Sequence, residues 1–322
     1  MRVGARLWEQ IRTWRPVDAL LAVYMLFMAV VLVLAGGRVP HGGLLAAANL
    51  LAVGLAGLSR AFQLRARGRA LRCLWGAFPL ALFCWLWMEI DPMQHILHAG
   101  WFDPVLIRAE HAALGVDLTL WLERYTQPWL TEWMMLGYFS YVPLLPIVLI
   151  VLCAGRTRQS ADNAAGTAAD TYLLGLAMAY TASFVAFILF PVAGPKLGFA
   201  GQFVNPDLRG HIFRWITRQL ETYGQFPGGS FPSPHCAVGT VMLWMAYRHN
   251  RAAFWAILPF ILTFYAATVY GRYHYISDTI TGIAVGAAMA WLAPRTAAWW
   301  DRAAGIRARR TPPGAGEAAA DA

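Results

Sequence analysis

Eight apolar runs divide this chain, at residues 17–35, 43–58, 74–90, 129–152, 172–192, 235–247, 252–269 and 279–292. Most approach the roughly 20 residues that a helix needs to cross a bilayer. The pattern predicts an all-α, polytopic membrane bundle of about eight transmembrane helices. A signal peptide is the rival reading of the first run, because Val33, Leu34 and Ala35 precede Gly36 in the manner of a cleavage site. That run is longer than the about 7–15 apolar residues of a signal core, which favours an uncleaved helix.

The polar segments differ from one another. Residues 91–127 mix His95, His98, Asp103, Glu110, His111, Asp117, Glu123 and Arg124 with Val105, Leu106, Leu114 and Leu118 at helical spacing. They predict one or two amphipathic helices lying at the membrane surface. Residues 193–230 form a long polar insertion with Lys196, Asp207, Arg209, Arg214, Arg218 and Glu221. The expected organisation is N-terminal membrane helices over 1–100, a membrane core over 101–296, and a basic, then disordered tail over 297–322.

Arginines cluster before run one, between two and three, between four and five, between six and seven, and after run eight. The positive-inside rule assigns those segments and both termini to the cytoplasm. Segments 91–127, 193–230 and 270–278 then share the outer side. The insertion is itself basic, and the alternation of the other loops outweighs it.

Composition agrees with a membrane protein. The chain is 58% hydrophobic and 13% charged, against about 25% charge in soluble domains. The net charge of +9 sits between apolar runs, so it reads as orientation, not as a nucleic-acid surface. Cys73, Cys84, Cys153 and Cys236 show no metal-type spacing and read as buried thiols. His95, His98 and His111 read as surface residues of an amphipathic helix, not as metal ligands.

Three polar clusters open onto the outer side. One follows run five and ends at Lys196. One precedes run six: Phe231, Pro232, Ser233, Pro234, His235. One enters run eight: Arg272, Tyr273, His274, Tyr275, Ile276, Ser277, Asp278. His274 and Asp278 are one helical turn apart, so the carboxylate can orient the imidazole. A nucleophilic imidazole suits phosphoryl transfer. Lys196, Ser233, Arg272 and the backbone N–H groups of a helix start suit a phosphate. Singly, each residue is more often an interfacial anchor or a helix entry; their meeting at three helix mouths on one side is what singles them out.

These residues resemble the type-2 phosphatidic acid phosphatase and haloperoxidase superfamily. Pro232, Ser233 and His235 match its Pro-Ser-x-His motif, His274 and Asp278 its His-x-x-x-Asp motif, and Lys196 its first motif. The wider pattern looks most like the membrane branch containing inositol phosphorylceramide synthases. The resemblance spans about residues 103–292. It implies attack on phosphorus by His274, orientation by Asp278, protonation of the leaving group by His235, and phosphate binding by Lys196, Ser233 and Arg272. It implies no metal or cofactor. The substrate expected is a lipid phosphate or phospholipid among membrane lipids, with no nucleic-acid partner. Phe203 and Thr268 stand where the family pattern has arginines, and Arg272, Arg209 and Arg214 are candidates to replace them. Those departures sustain a second expectation, a non-enzymatic lipid transporter or assembly protein. Membrane embedding argues against halide oxidation.

Overall fold

The computed structural model describes residues 13–155, 168–205 and 207–304. Expectations for residues 1–12, for the loop at 156–167 and for the tail from 305 lie outside the described residues. The described chain is all helix: α1 Pro16–Ala35, α2 Gly42–Arg65, α3 Arg69–Gly76, α4 Phe78–Ile90, α5 Asp103–Leu114, α6 Leu118–Leu122, α7 Pro128–Ala154, α8 Ala168–Leu189, α9 Pro195–Gly198, α10 Ile212–Gly224, α11 Pro234–His249, α12 Arg251–Tyr270 and α13 Ile276–Ala303. The protein is a polytopic all-α bundle in which, among the described residues, seven helical segments are long and apolar enough to cross a membrane.

The remaining expected span, α11, has 16 residues, roughly 24 Å of helix. It is wrapped by α7, α8, α12 and α13. Cys236, Ala237, Val238, Val241 and Met242 are fully buried there. A Cβ on Gly282 would strike the Ser233 carbonyl, and one on Gly286 the Ala237 carbonyl, so these glycines let α13 meet α11 backbone to backbone. The bundle axis is α8, with 72% of its apolar window buried against 33–39% in the other six spans. It packs against α1, α4, α11 and α13. Leu50, Leu51, Val30 and Ile150 point outward, as lipid-facing residues do when each helix satisfies its own backbone.

Several expectations are refined. The second run continues as helix to Arg65, through part of its basic flank. The third breaks around Ala77 into α3 and α4. The amphipathic helix α5 is more than a surface element. Leu106 packs with Val192, Phe199 and Tyr275 in a small core of its own, and Asp103 and Glu110 are buried. The cysteine reading is corrected too: Cys73 and Cys153 form a disulfide with Cα atoms 6.3 Å apart. Cys84 and Cys236 are free, the first exposed and the second buried. Eighty residues separate the bonded pair, so packing of α3 against the end of α7 makes the bond, not sequence proximity.

Candidate active site

At one end of the bundle the start of α11, the loop before α13 and the loop after α8 converge. His235 is the second residue of α11, whose first turn is capped by Ser233 accepting from the Cys236 N–H at 3.3 Å. Asp278 closes the first turn of α13 by accepting the Tyr275 N–H at 2.9 Å. The helices are joined where the Ser233 N–H donates to the Asp278 carbonyl, 3.0 Å. The two imidazoles meet: His235 Nδ1 lies 3.1 Å from His274 Nε2.

His274 Nδ1 is 3.0 Å from the Ser230 carbonyl oxygen. A carbonyl can only accept, so Nδ1 carries the proton and Nε2 keeps its lone pair. Asp278 Oδ2 is 3.6 Å from that Nδ1, beyond a hydrogen bond. Ser230 stands between them, with its hydroxyl donating to Asp278 Oδ2 at 2.6 Å. Orientation of the ring by the carboxylate therefore runs through Ser230. Sequence reasoning missed this residue, because a serine just upstream of a motif has no periodicity to mark it. The other Asp278 oxygen is buried without a hydrogen-bond partner. Burial pushes the His274 imidazole down to about 4 and the Ser230 carbonyl opposes this, so the ring is neutral at physiological pH.

The surroundings are aromatic. Rings of Trp87, Tyr138, Tyr141 and Phe264 lie 5.1–6.3 Å from His235. Trp87 belongs to α4, in the part of the chain that the family resemblance leaves unexplained. Its indole donates to the Gly224 carbonyl at 2.9 Å. Gln94 accepts the Gly229 N–H at 2.7 Å and donates to Pro227 at 3.1 Å. The N-terminal helices thus hold the segment that ends in Ser230.

Acidic groups from the amphipathic segment fasten the other loops. Asp103 accepts from the N–H groups of Ala193 and Gly194 and from the Tyr275 hydroxyl, at 2.8–2.9 Å. Gly194 sits at φ +98, a conformation that favours glycine. Glu110 accepts the Ser277 N–H at 2.7 Å.

The structure distributes the expected phosphate ligands. Ser233 is fully buried at the helix cap. Lys196 Nζ lies 4.3 Å from the Tyr273 ring centre and 3.2 Å from Glu221. The Tyr273 ring stacks on Tyr138 at 4.1 Å, which puts two aromatic rings between Lys196 and His235. Arg272, at a φ of 63, covers the Phe203 ring at 4.0 Å and bonds the Asn205 carbonyl and Glu123. The side chain at one arginine-lacking position is thus covered by an arginine from elsewhere. The other, Thr268, is fully buried and bonds Thr279 at 3.0 Å. Arg214 shares Glu221 with Lys196, 2.7 Å from its carboxylate.

Fold and site together define an integral membrane helical protein with an imidazole pair and nearby cations at one end. A family model described as PAP2 superfamily matches residues 105–292. The chain belongs to that superfamily, which supports a phosphatase-type function. No curated protein and no solved structure matches the chain.

Proposed function

We propose that this protein is a lipid-phosphate phosphatase or phosphotransferase that works through a phosphohistidine. The observation that carries the reading is the His235–His274 contact of 3.1 Å, in which His274 Nδ1 is fixed and Nε2 is left as the nucleophile.

In the first step Nε2 of His274 attacks phosphorus. A P–N bond forms, the P–O bond to the leaving group breaks, and His235 gives that oxygen a proton. Water or an alcohol then attacks phosphorus and loses its proton to His235, and the P–N bond breaks. Asp278, acting through Ser230, stabilises the positive ring in between. Lys196, Arg214 and the N–H groups at the start of α11 attract the phosphate oxygens, and Arg272 holds the adjoining loop. Hydrolysis and transfer share these groups and differ in the acceptor.

The site lies among helices with lipid-facing flanks, which supports an amphiphilic substrate. The test is phosphate release from a diacylglycerol phosphate or a polyprenyl pyrophosphate by the purified protein in detergent. It is paired with headgroup exchange between phospholipids and with alkaline-quench detection of a base-stable, acid-labile phosphoprotein. His274→Ala should abolish all three signals; retained turnover in that variant sinks the reading.

For sidedness the reading is cytoplasmic termini and an extracytoplasmic site, supported by Arg60, Arg65, Arg69 and Arg72 gathering at the far end. The Cys73–Cys153 disulfide lies at that same end; disulfides persist in oxidising compartments, so it opposes this sidedness and makes the labelling test decisive. A His98→Cys variant should react with a membrane-impermeant maleimide in intact cells. Labelling only after lysis would invert the topology.

A further inference from the structure

The anion subsite at Lys196 is already filled by a carboxylate of the chain itself. Glu221, in the last turn of α10, lies 3.2 Å from Lys196 and 2.7 Å from Arg214. It also accepts the Tyr273 hydroxyl. Two cations and a phenol around one carboxylate are the partners that a phosphate would take. Tyr273 directly precedes His274, and its ring stacks on Tyr138, itself 5.7 Å from His235.

We propose that Glu221 is an internal competitor for the substrate phosphate. In the empty site it holds Lys196 and Arg214 in register, and it gives them up when a phosphate arrives. This deepens the phosphoryl-transfer reading and rests on it for the identity of the ligand. Burial pushes the Glu221 carboxyl up, but Lys196, Tyr273 and Arg214 outweigh burial and leave it below the ordinary glutamate range. The competing charge is therefore present at neutral pH.

Helix α10 is pinned at both ends. Glu132 of α7 accepts the N–H groups of Phe213 and Arg214, at 2.9 and 3.1 Å. Trp87 holds the Gly224 carbonyl at the other end. Exchange between carboxylate and phosphate is thus a rotation of one side chain that keeps 18% of its surface exposed, not the opening of a helix. The consequence is a weaker but faster site: bound phosphate is released because a replacement anion stands beside it.

The probe is inorganic phosphate, titrated calorimetrically into the purified full-length protein in detergent. Glu221→Gln should bind phosphate about tenfold more tightly than the natural chain, the loss of one competing charged hydrogen bond corresponding to about 1.4 kcal/mol. Arg214→Gln should bind it more weakly. In turnover, Glu221→Gln should lower KM and also kcat, through slower release. Should Glu221→Gln fail to fold, Glu221→Asp keeps the charge and shortens its reach, and should still tighten binding severalfold. Equal or weaker phosphate binding in the folded Glu221 variant overturns the inference, leaving the carboxylate as an aligner of the two cations. Absence of phosphate binding in both proteins overturns it as well. The two readings fail separately. A natural chain that turns lipid phosphates over, with unchanged affinity in Glu221→Gln, removes the competitor and keeps the enzyme. An inactive natural chain whose Glu221→Gln variant binds phosphate more tightly does the reverse.

Discussion

The two ends of the bundle differ in what their buried carboxylates hold. At the end where α1 and α8 start, Arg15 bonds Asp18 at 2.7 Å, Asp170 at 3.1 Å and the Gly76 carbonyl at 2.9 Å. Burial alone would lower the Arg15 value, but the two carboxylates raise it beyond the ordinary arginine range. The Trp300 indole donates to the Trp14 carbonyl at the same end, 3.1 Å. Charge is matched by charge, and the cluster ties four helices together. At the other end, beside the Arg214–Glu221 and Arg272–Glu123 pairs, the carboxylates of Asp103, Glu110 and Glu132 are bonded to backbone N–H groups of a loop and of two helix starts, so they shape the chain. The two imidazoles there have each other. Among the described residues, both buried polar side-chain atoms without a partner, Ser277 Oγ and Asp278 Oδ1, are at this end. One end is closed to further bonding; the other keeps capacity in reserve, as a site for a charged reactant must.

Substitutions at the site end should therefore reach chemistry before stability. The largest expected effect is Asp278→Asn, with a fall in kcat of about 10³-fold or more, because the amide cannot stabilise the imidazolium. Ser230→Ala should follow at about 10²-fold, since it breaks the relay and leaves the carboxylate less satisfied. Both are measured as turnover alongside thermal midpoints. A Ser230→Ala enzyme at full rate would show that Asp278 acts on His274 directly, and would blur the contrast between the ends.

The opposite end should answer with stability alone. Arg15→Met leaves the buried Asp18 carboxylate without its guanidinium partner, at a cost of about 3–5 kcal/mol. Detergent unfolding should reveal it, while kcat at a permissive temperature stays within about twofold. A large kcat loss with unchanged stability would mean that the two ends are coupled through α8.

Much of this contrast is written in the primary structure, though unevenly. Apolar runs of membrane-spanning length reveal the helices, because the bilayer imposes length and hydropathy together. His274 and Asp278 are legible because one helical turn separates them, and His235 because Pro232 and Pro234 mark a helix entry. Ser230 and Glu221 were not legible as site residues, and Arg214 only as one of three candidate arginines. Ser230 bonds Asp278, and Glu221 bonds Lys196 and Tyr273, all from other elements, and the insertion that carries all three reads as an ordinary polar loop. Asp103 and Glu110 suggested a wet surface, since amphipathic periodicity does not tell whether a polar face meets water or the backbone of a neighbouring loop. The Cys73–Cys153 pair needed the packing of α3 on α7.

The smallest expected effect is also the sharpest probe of the difference, because it concerns a single proton. Arg15 is charged at every accessible pH, whereas His274 is neutral by burial, with its value lowered from 6.5 to about 4. In the unfolded chain this imidazole takes a proton near 6.5, and in the native protein it resists until about 4. The native state thus binds fewer protons within that window, so His274 lowers stability as pH falls from 6.5 towards 4 and has no such effect above it. In protein labelled with 13C-histidine, the resonance missing from His274→Ala should stay at its neutral position from pH 8 to pH 5. A midpoint near 6.5 would mean that the ring is hydrated and is not held neutral by burial. A midpoint near 4 would leave the nucleophile unprotonated over the whole physiological range, and any acid limb of the rate near neutrality would belong to a group other than this ring, the substrate phosphate first among them.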